Sequence, residues 1–165
     1  MPEESSLDRD GLIAALGAAL REVSGLGVLY SHAVAARLGL APTDLECLGY
    51  LTDGPITAGA LAEATRLTTG AITGVVDRLE RAGFAARQSD PSDRRRVLVR
   101  LTPAAADRLG PLYAPMERAA LSALEGYSAA ELSLLLGFLQ RSRDAALAAM
   151  AELRADPPRS PADID

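Results

Sequence analysis

Positions 89–102, SDPSDRRRVLVRLT, place three consecutive arginines directly after a turn-forming stretch and directly before an alternating apolar strand. Guanidinium groups clustered on a hairpin tip suit one kind of chemistry. They offer fixed positive charge and forked donors to phosphates, or to the electronegative floor of a DNA minor groove. Catalysis finds less support. His32 and Cys47 are each unique in the chain, but a nucleophile–base pair needs an orienting acid at a recognisable spacing, and none is present. Cys47 sits in LECLGYL beside inward-facing leucines, where a small core residue is expected rather than a reactive thiol. One His and one Cys would leave carboxylates to supply most ligands of a metal site, and no clustered spacing offers them. The run GAITGVV, residues 70–76, lacks the Gly-Lys-Ser/Thr of a phosphate loop. The expectation is therefore a protein that is not an enzyme and has neither metal nor cofactor.

The arginines need elements to carry them. Leu12, Ile13, Leu16, Leu20 and Val23, then Val34 and Leu38, recur at helical spacing and predict a helix over 7–38. Gly25 and Gly27 each cost roughly 1 kcal/mol in a helix interior, which predicts a bend or break there. Pro42 starts a second helix with Leu45, Leu48 and Leu51 facing inward, ending at TDGP. Thr57 then caps a short helix carrying Leu61, and Thr68 caps the next. In that helix Ile72, Val75, Val76 and Leu79 share one face, so Thr69, Thr73, Asp77, Glu80 and Arg81 point away from the core. Gly83 fits the left-handed residue at a helix end, and Phe84 opens an extended run. From Ala85 to Thr102 the period changes to two, with Val97, Val99 and Leu101 on one face and Arg96, Leu98 and Arg100 on the other, which predicts a two-stranded hairpin. Thr102 and Pro103 start another helix, and Pro111 and Pro115 predict a break or sharp kink between Gly110 and Pro115. Ser128 and Glu131 have capping-box spacing ahead of a stripe of Leu132, Leu135, Leu136, Leu139, Ala146, Leu147 and Met150. Residues 1–6 are expected to be flexible and 154–165 disordered.

Two short helices joined by a tight turn, then an arginine-tipped hairpin, describe a winged helix-turn-helix within 42–101 of a mainly α (α+β) chain. Small residues at Gly70, Ala71, Thr73 and Gly74 would let the second helix approach base edges in the major groove closely. The net charge of −5 hides an asymmetry: residues 66–100 hold eight arginines against four acids, and the remainder nine against eighteen. A local positive stripe, not the total, is what docks on phosphates. A winged-helix module that binds only protein is the alternative, although it gives three clustered guanidiniums little to do. The N-terminus, MPEESSLDRD, has neither the basic region nor the apolar run of a signal peptide, and no apolar run approaches the roughly eighteen residues of a membrane span. A cytoplasmic protein is expected.

Residues 61–106 resemble the DNA-binding core of the MarR (multiple-antibiotic-resistance regulator) family of bacterial transcription factors. The most specific piece is DRRRVLVRLT, which is similar to the family's wing signature of Asp, any residue, Arg, and a strand ending Leu-Thr. The resemblance implies that Arg95 enters the minor groove, that Asp93 orients it, and that Arg94 and Arg96 help on phosphates. It assigns Thr68, Thr69, Thr73 and Arg78 to the recognition-helix surface. It also implies a homodimer, with 7–38 and 102–153 forming a dimerisation region, and a repressor that binds double-stranded DNA at an inverted repeat and responds to a small aromatic or anionic effector. Tyr30, Tyr50 and Tyr113 would then give apolar walls with a polar handle, and His32 a partner for an anionic group. Family members that sense oxidants use a cysteine of the first helix; Cys47 lies in the second, so that role is not carried over.

Overall fold

Short polar side chains start most of the helices. The computed structural model describes residues 8–155. Helix α1 (Arg9–Leu38) follows Asp8, whose carboxylate accepts from the Gly11 amide at 2.8 Å. Helix α2 (Pro42–Leu51) begins with Pro42, which lacks the amide hydrogen that would go unbonded there. Strand β1 (Ile56–Thr57) leads into α3 (Ala58–Thr65). Thr57 caps α3 through the Ala60 amide at 3.1 Å, and Thr68 caps α4 (Thr69–Arg81) through the Ala71 amide at 3.2 Å. Strands β2 (Ala85–Ser89) and β3 (Val97–Leu101) follow. Thr102 then caps α5 (Pro103–Ser122), accepting from the Ala105 amide at 3.0 Å. Helix α6 (Ala129–Ala155) opens on a reciprocal box: the Glu131 amide donates to the Ser128 hydroxyl, and the Ser128 amide to the Glu131 carboxylate at 2.8 Å.

The chain forms two compact units, Met1–Tyr113 and Ala114–Asp165, with the boundary inside α5. In the first, β1, β3 and β2 form an antiparallel sheet in that order, with Ala85 opposite Leu101 and Ser89 opposite Val97. Leu45, Leu48 and Leu51 of α2, Leu61 of α3, and Ile72, Val75, Val76 and Leu79 of α4 are buried together with Phe84 and Val99. Val34 and Ala35 at the end of α1, and Ala105 and Leu109 of α5, close this core. In the second unit the described side chains of α6 are mostly exposed, among them Leu134, Leu136, Leu139 and Leu147.

Several expectations need correction. Helix α1 runs unbroken through Gly25 and Gly27: glycine weakens a helix without clashing, and a cost near 1 kcal/mol per site does not break a cooperative thirty-residue element. Helix α5 likewise shows no break at Pro111 and Pro115, being one α-helix from Pro103 to Ser122. The ring of a proline crowds the Cβ of the preceding residue, which Gly110 lacks, and the hydrogen bond each proline removes is one of many in a twenty-residue helix. The hairpin has a third strand, since Ile56 pairs with Val99 and Thr57 with Leu98. Val97 is exposed at the outer end of its strand rather than sharing the burial of Val99. Although no uninterrupted apolar run reaches eighteen residues, α1 is long and apolar enough to cross a membrane by length and composition. Arg21 and Glu22 sit in its middle, and its end is packed into the first unit's core. Helix α6 extends through residue 155, so it includes the first two residues of the expected tail. Residues 1–6 and the rest of that tail lie outside the described residues.

Candidate nucleic-acid interface

The interface is built on α4. Its buried stripe leaves Thr69, Gly70, Ala71 and Thr73 exposed on the opposite side, so small side chains form the outer surface of the first two turns. The Thr68 hydroxyl accepts from Ala71, and the Thr73 hydroxyl donates to the Thr69 carbonyl at 2.9 Å. Thr73 therefore presents its methyl group and a free lone pair, a surface suited to close approach by a thymine methyl or a base-edge donor.

Arg78 is placed differently from the other recognition-helix candidates. Its guanidinium turns back to α2 and grips Asp44 with both arms, Nη2 to Oδ1 at 2.6 Å and Nε to Oδ2 at 3.2 Å. Asp44 is buried, and its hydrogen bond and charge push the Arg78 pKa further up. This forked pair fixes α4 against α2.

The wing is held to α4 from the other side. Arg87 of β2 donates to Asp77 at 2.8 Å and pairs with Glu80, while its amide donates to Glu80 at 2.8 Å. The Thr102 hydroxyl donates to the Gly83 carbonyl at 2.7 Å, and Arg108 stacks over the Phe84 ring at 4.0 Å. Asp77 and Glu80 are thus occupied, and carboxylates that would repel phosphate are partly neutralised.

At the wing tip, Asp90 accepts from the Ser92 amide at 2.8 Å and from the Ser92 hydroxyl at 2.6 Å. These bonds, the hydroxyl first, hold its carboxyl below the usual aspartate range. Asp93 accepts from the Arg95 amide at 3.0 Å and lies 3.5 Å from Arg95 Nε. The Arg95 side chain is 93% exposed and leaves the tip with only this neighbour. Arg96 lies 3.8 Å from Asp90, and Arg94 is exposed.

A second feature lies within the first unit. A cavity of about 340 Å³ is lined by Leu45, Leu48, Gly49 and Thr52 of α2 and its C-terminal end and by Leu109 and Tyr113 of α5. Of the four effector candidates, Tyr113 lines it. Tyr30 packs its ring 6.0 Å from that of Tyr113 and donates its hydroxyl to the Leu112 carbonyl at 2.5 Å. Tyr50 reaches instead toward the Ala64 carbonyl of α3, and His32 is exposed away from the lining. Cys47 is fully buried, and burial, then the charges of Glu46 and Asp44, push its thiol up to about 11, so it stays protonated and unreactive at neutral pH. Sequence reasoning missed Asp44, Arg87 and Leu109, and read Leu45 and Leu48 as inward-facing without the cavity they line. Asp44 and Arg87 find their partners 34 and up to 10 residues away, which no local pattern reveals.

Comparison with known proteins agrees with this geometry. A family model described as MarR family matches residues 38–96. Over 125 residues the chain is 39% identical to the HTH-type transcriptional regulator YcgE of Bacillus subtilis, covering 75% of this chain and 81% of that protein. A MarR family protein from Bacillus stearothermophilus has the same fold, at 22% identity and a TM-score of 0.63, over 86% of this chain and 99% of its own. So does a mutant of MepR from S. aureus bound to an oligodeoxyribonucleotide, at 18% identity and a TM-score of 0.53, over 79% and 97% of the two chains.

Proposed function

The chain belongs to the MarR family of transcriptional regulators and carries a DNA-binding winged helix, and from that premise we propose that it is an effector-responsive repressor that reads an inverted-repeat operator as a homodimer. The observation that carries the DNA-reading part is the pairing of two surfaces within one compact unit. The small-residue face of α4 and the Arg95-bearing wing tip are tied together through Arg87, Asp77 and Glu80. Thr69 and Thr73 meet base edges in the major groove while Arg95 enters the adjacent minor groove, where negative potential favours a guanidinium. Two such units related by a two-fold axis reach half-sites about 34–36 Å apart.

The cavity against α2 supports the effector part of the reading. Its lining is mostly apolar, with Tyr113 and Thr52 the residues that carry hydroxyls, which suits a small aromatic compound better than a strongly anionic one. A ligand that fits one setting of α2 better than another shifts the DNA-competent population by that difference in affinity.

The test is selection from a random duplex pool by the full-length protein at two salt concentrations. Enrichment of an inverted repeat is the expected result. Salt-sensitive retention without enriched sequence would leave only a basic surface, and no retention would move the weight to a protein-binding module. On the selected duplex, Arg95→Ala is expected to lower affinity at least about tenfold and to reduce the salt slope by about 0.9 per protomer engaged. Equal affinity and slope would remove the wing from the mechanism.

A further inference from the structure

We propose that Arg66, in the turn between α3 and α4, is a phosphate-binding residue of the DNA interface, kept there despite an unfavourable backbone; the inference rests on the DNA-binding reading above. Arg66 ends α3 with φ 61° and ψ 28°, and it is the one non-glycine residue with positive φ among the described residues. Glycine is what such a position calls for, because an L side chain there crowds the following carbonyl oxygen. This chain follows that rule at another helix end. Helix α1 stops at Gly39 with φ 69° and ψ 28°, nearly the same conformation, and Gly83 after α4 has φ 76°.

An arginine placed where glycine would be easier needs a use for its side chain, and none is found among the described residues. Arg66 is exposed, and among the described residues its guanidinium has no hydrogen-bond or ion-pair partner. Most of its neighbours in the positive segment differ: Arg78 is held by Asp44, Arg87 by Asp77 and Glu80, Arg95 lies near Asp93, Arg96 near Asp90, and Arg81 and Arg100 donate to backbone carbonyls; only Arg94, at the wing tip, is likewise without a partner among the described residues.

The position supplies the use. Arg66 stands two residues before Thr68, the cap of α4, whose first turns carry the exposed Thr69, Gly70 and Ala71. When the start of a recognition helix lies against base edges, the turn preceding it lies over the flanking sugar–phosphate backbone. A five-donor guanidinium with no internal partner is well suited to grip a phosphate there, fixing register without reading sequence.

The experiment compares wild type, Arg66→Gly and Arg66→Lys for thermal unfolding and for affinity to the selected operator across a salt series. Arg66→Gly is expected to raise Tm by about 2 °C, by removing the strained Cβ. It should also weaken binding by roughly tenfold and lower the salt slope by about 0.9 per protomer. Arg66→Lys keeps both the strain and the charge, and is expected to stay within about threefold of wild type in affinity. Stability and binding that move in opposite directions support the proposal. A glycine variant that binds as tightly as wild type with an unchanged slope would overturn it while leaving the DNA-binding reading intact, whereas a wild type that retains no duplex would overturn both.

Discussion

At the scale of single residues, the charged groups divide by what they already hold. Arg95 leaves the wing almost wholly exposed beside Asp93, whereas Arg78, similar to it in sequence terms, is spent on Asp44. The forked contact and the burial of Asp44 give Arg78 a structural role, holding the recognition helix to α2. Removing one partner strands a buried carboxylate, which costs more than removing both. Arg78→Ala is therefore expected to lower Tm by several degrees, and Asp44→Ala combined with Arg78→Ala to recover a good part of that loss, as measured by thermal unfolding monitored by circular dichroism. A loss in the double variant equal to the sum of the two single losses would show that the pair does not act as a unit. Asp90 is another acid with a defined role. Its folded pKa is depressed by the Ser92 bonds, so its contribution is fully present above the ordinary aspartate range and is lost as pH falls through the lowered value. Asp90→Asn should be less stable than wild type at neutral pH, with the gap in Tm closing under acid; a gap that is constant with pH would mean that the Asp90 charge does not stabilise the tip.

At the scale of elements, legibility follows the range of the forces involved. Caps and buried stripes are local, so Thr57, Thr68, Thr102 and the Ser128–Glu131 box could be read directly, as could the inward face of α4 at Ile72, Val75, Val76 and Leu79. Strand β1 could not. Two residues carry no period, and Ile56 and Thr57 become a strand only because β3 offers an edge to them. The helix-breakers misled for a related reason. Gly25, Gly27, Pro111 and Pro115 lower local helix preference, yet a long helix tolerates a few such penalties when no side chain collides. Arg66 is the opposite case, since nothing in its identity announces a left-handed backbone. The wing's arginines stood out because their clustering is itself local, while the clamp that aims them, Arg87 with Asp77 and Glu80, joins elements that only the fold brings together.

At the scale of the whole molecule, the apolar surface is larger than one chain can use. On α1, Leu12, Ile13, Leu16, Val23, Leu26 and Leu29 are each more than half exposed, and on α6 Leu134, Leu136, Leu139 and Leu147 are as well. Monomeric soluble proteins rarely leave such faces open, and a two-fold partner is the arrangement that would also pair two recognition helices on DNA. Covering a leucine contributes about 1.5–3 kcal/mol. Replacing two of them by glutamate in each protomer should therefore weaken association at least about a thousandfold. The expected outcome for Leu136→Glu with Leu139→Glu is a monomer by light scattering at concentrations where wild type, on the proposed reading, is a dimer, with the buried core of the first unit still folded. Its operator affinity should fall with its dimerisation, because one half-site binds without the help of the other. A variant that is monomeric yet binds the full inverted repeat as tightly as wild type would separate the apolar faces from DNA reading. A wild type that partitions into detergent rather than dimerising would instead give the apolar face of α1 a lipid role, against the charge of Arg21 and Glu22 at its middle.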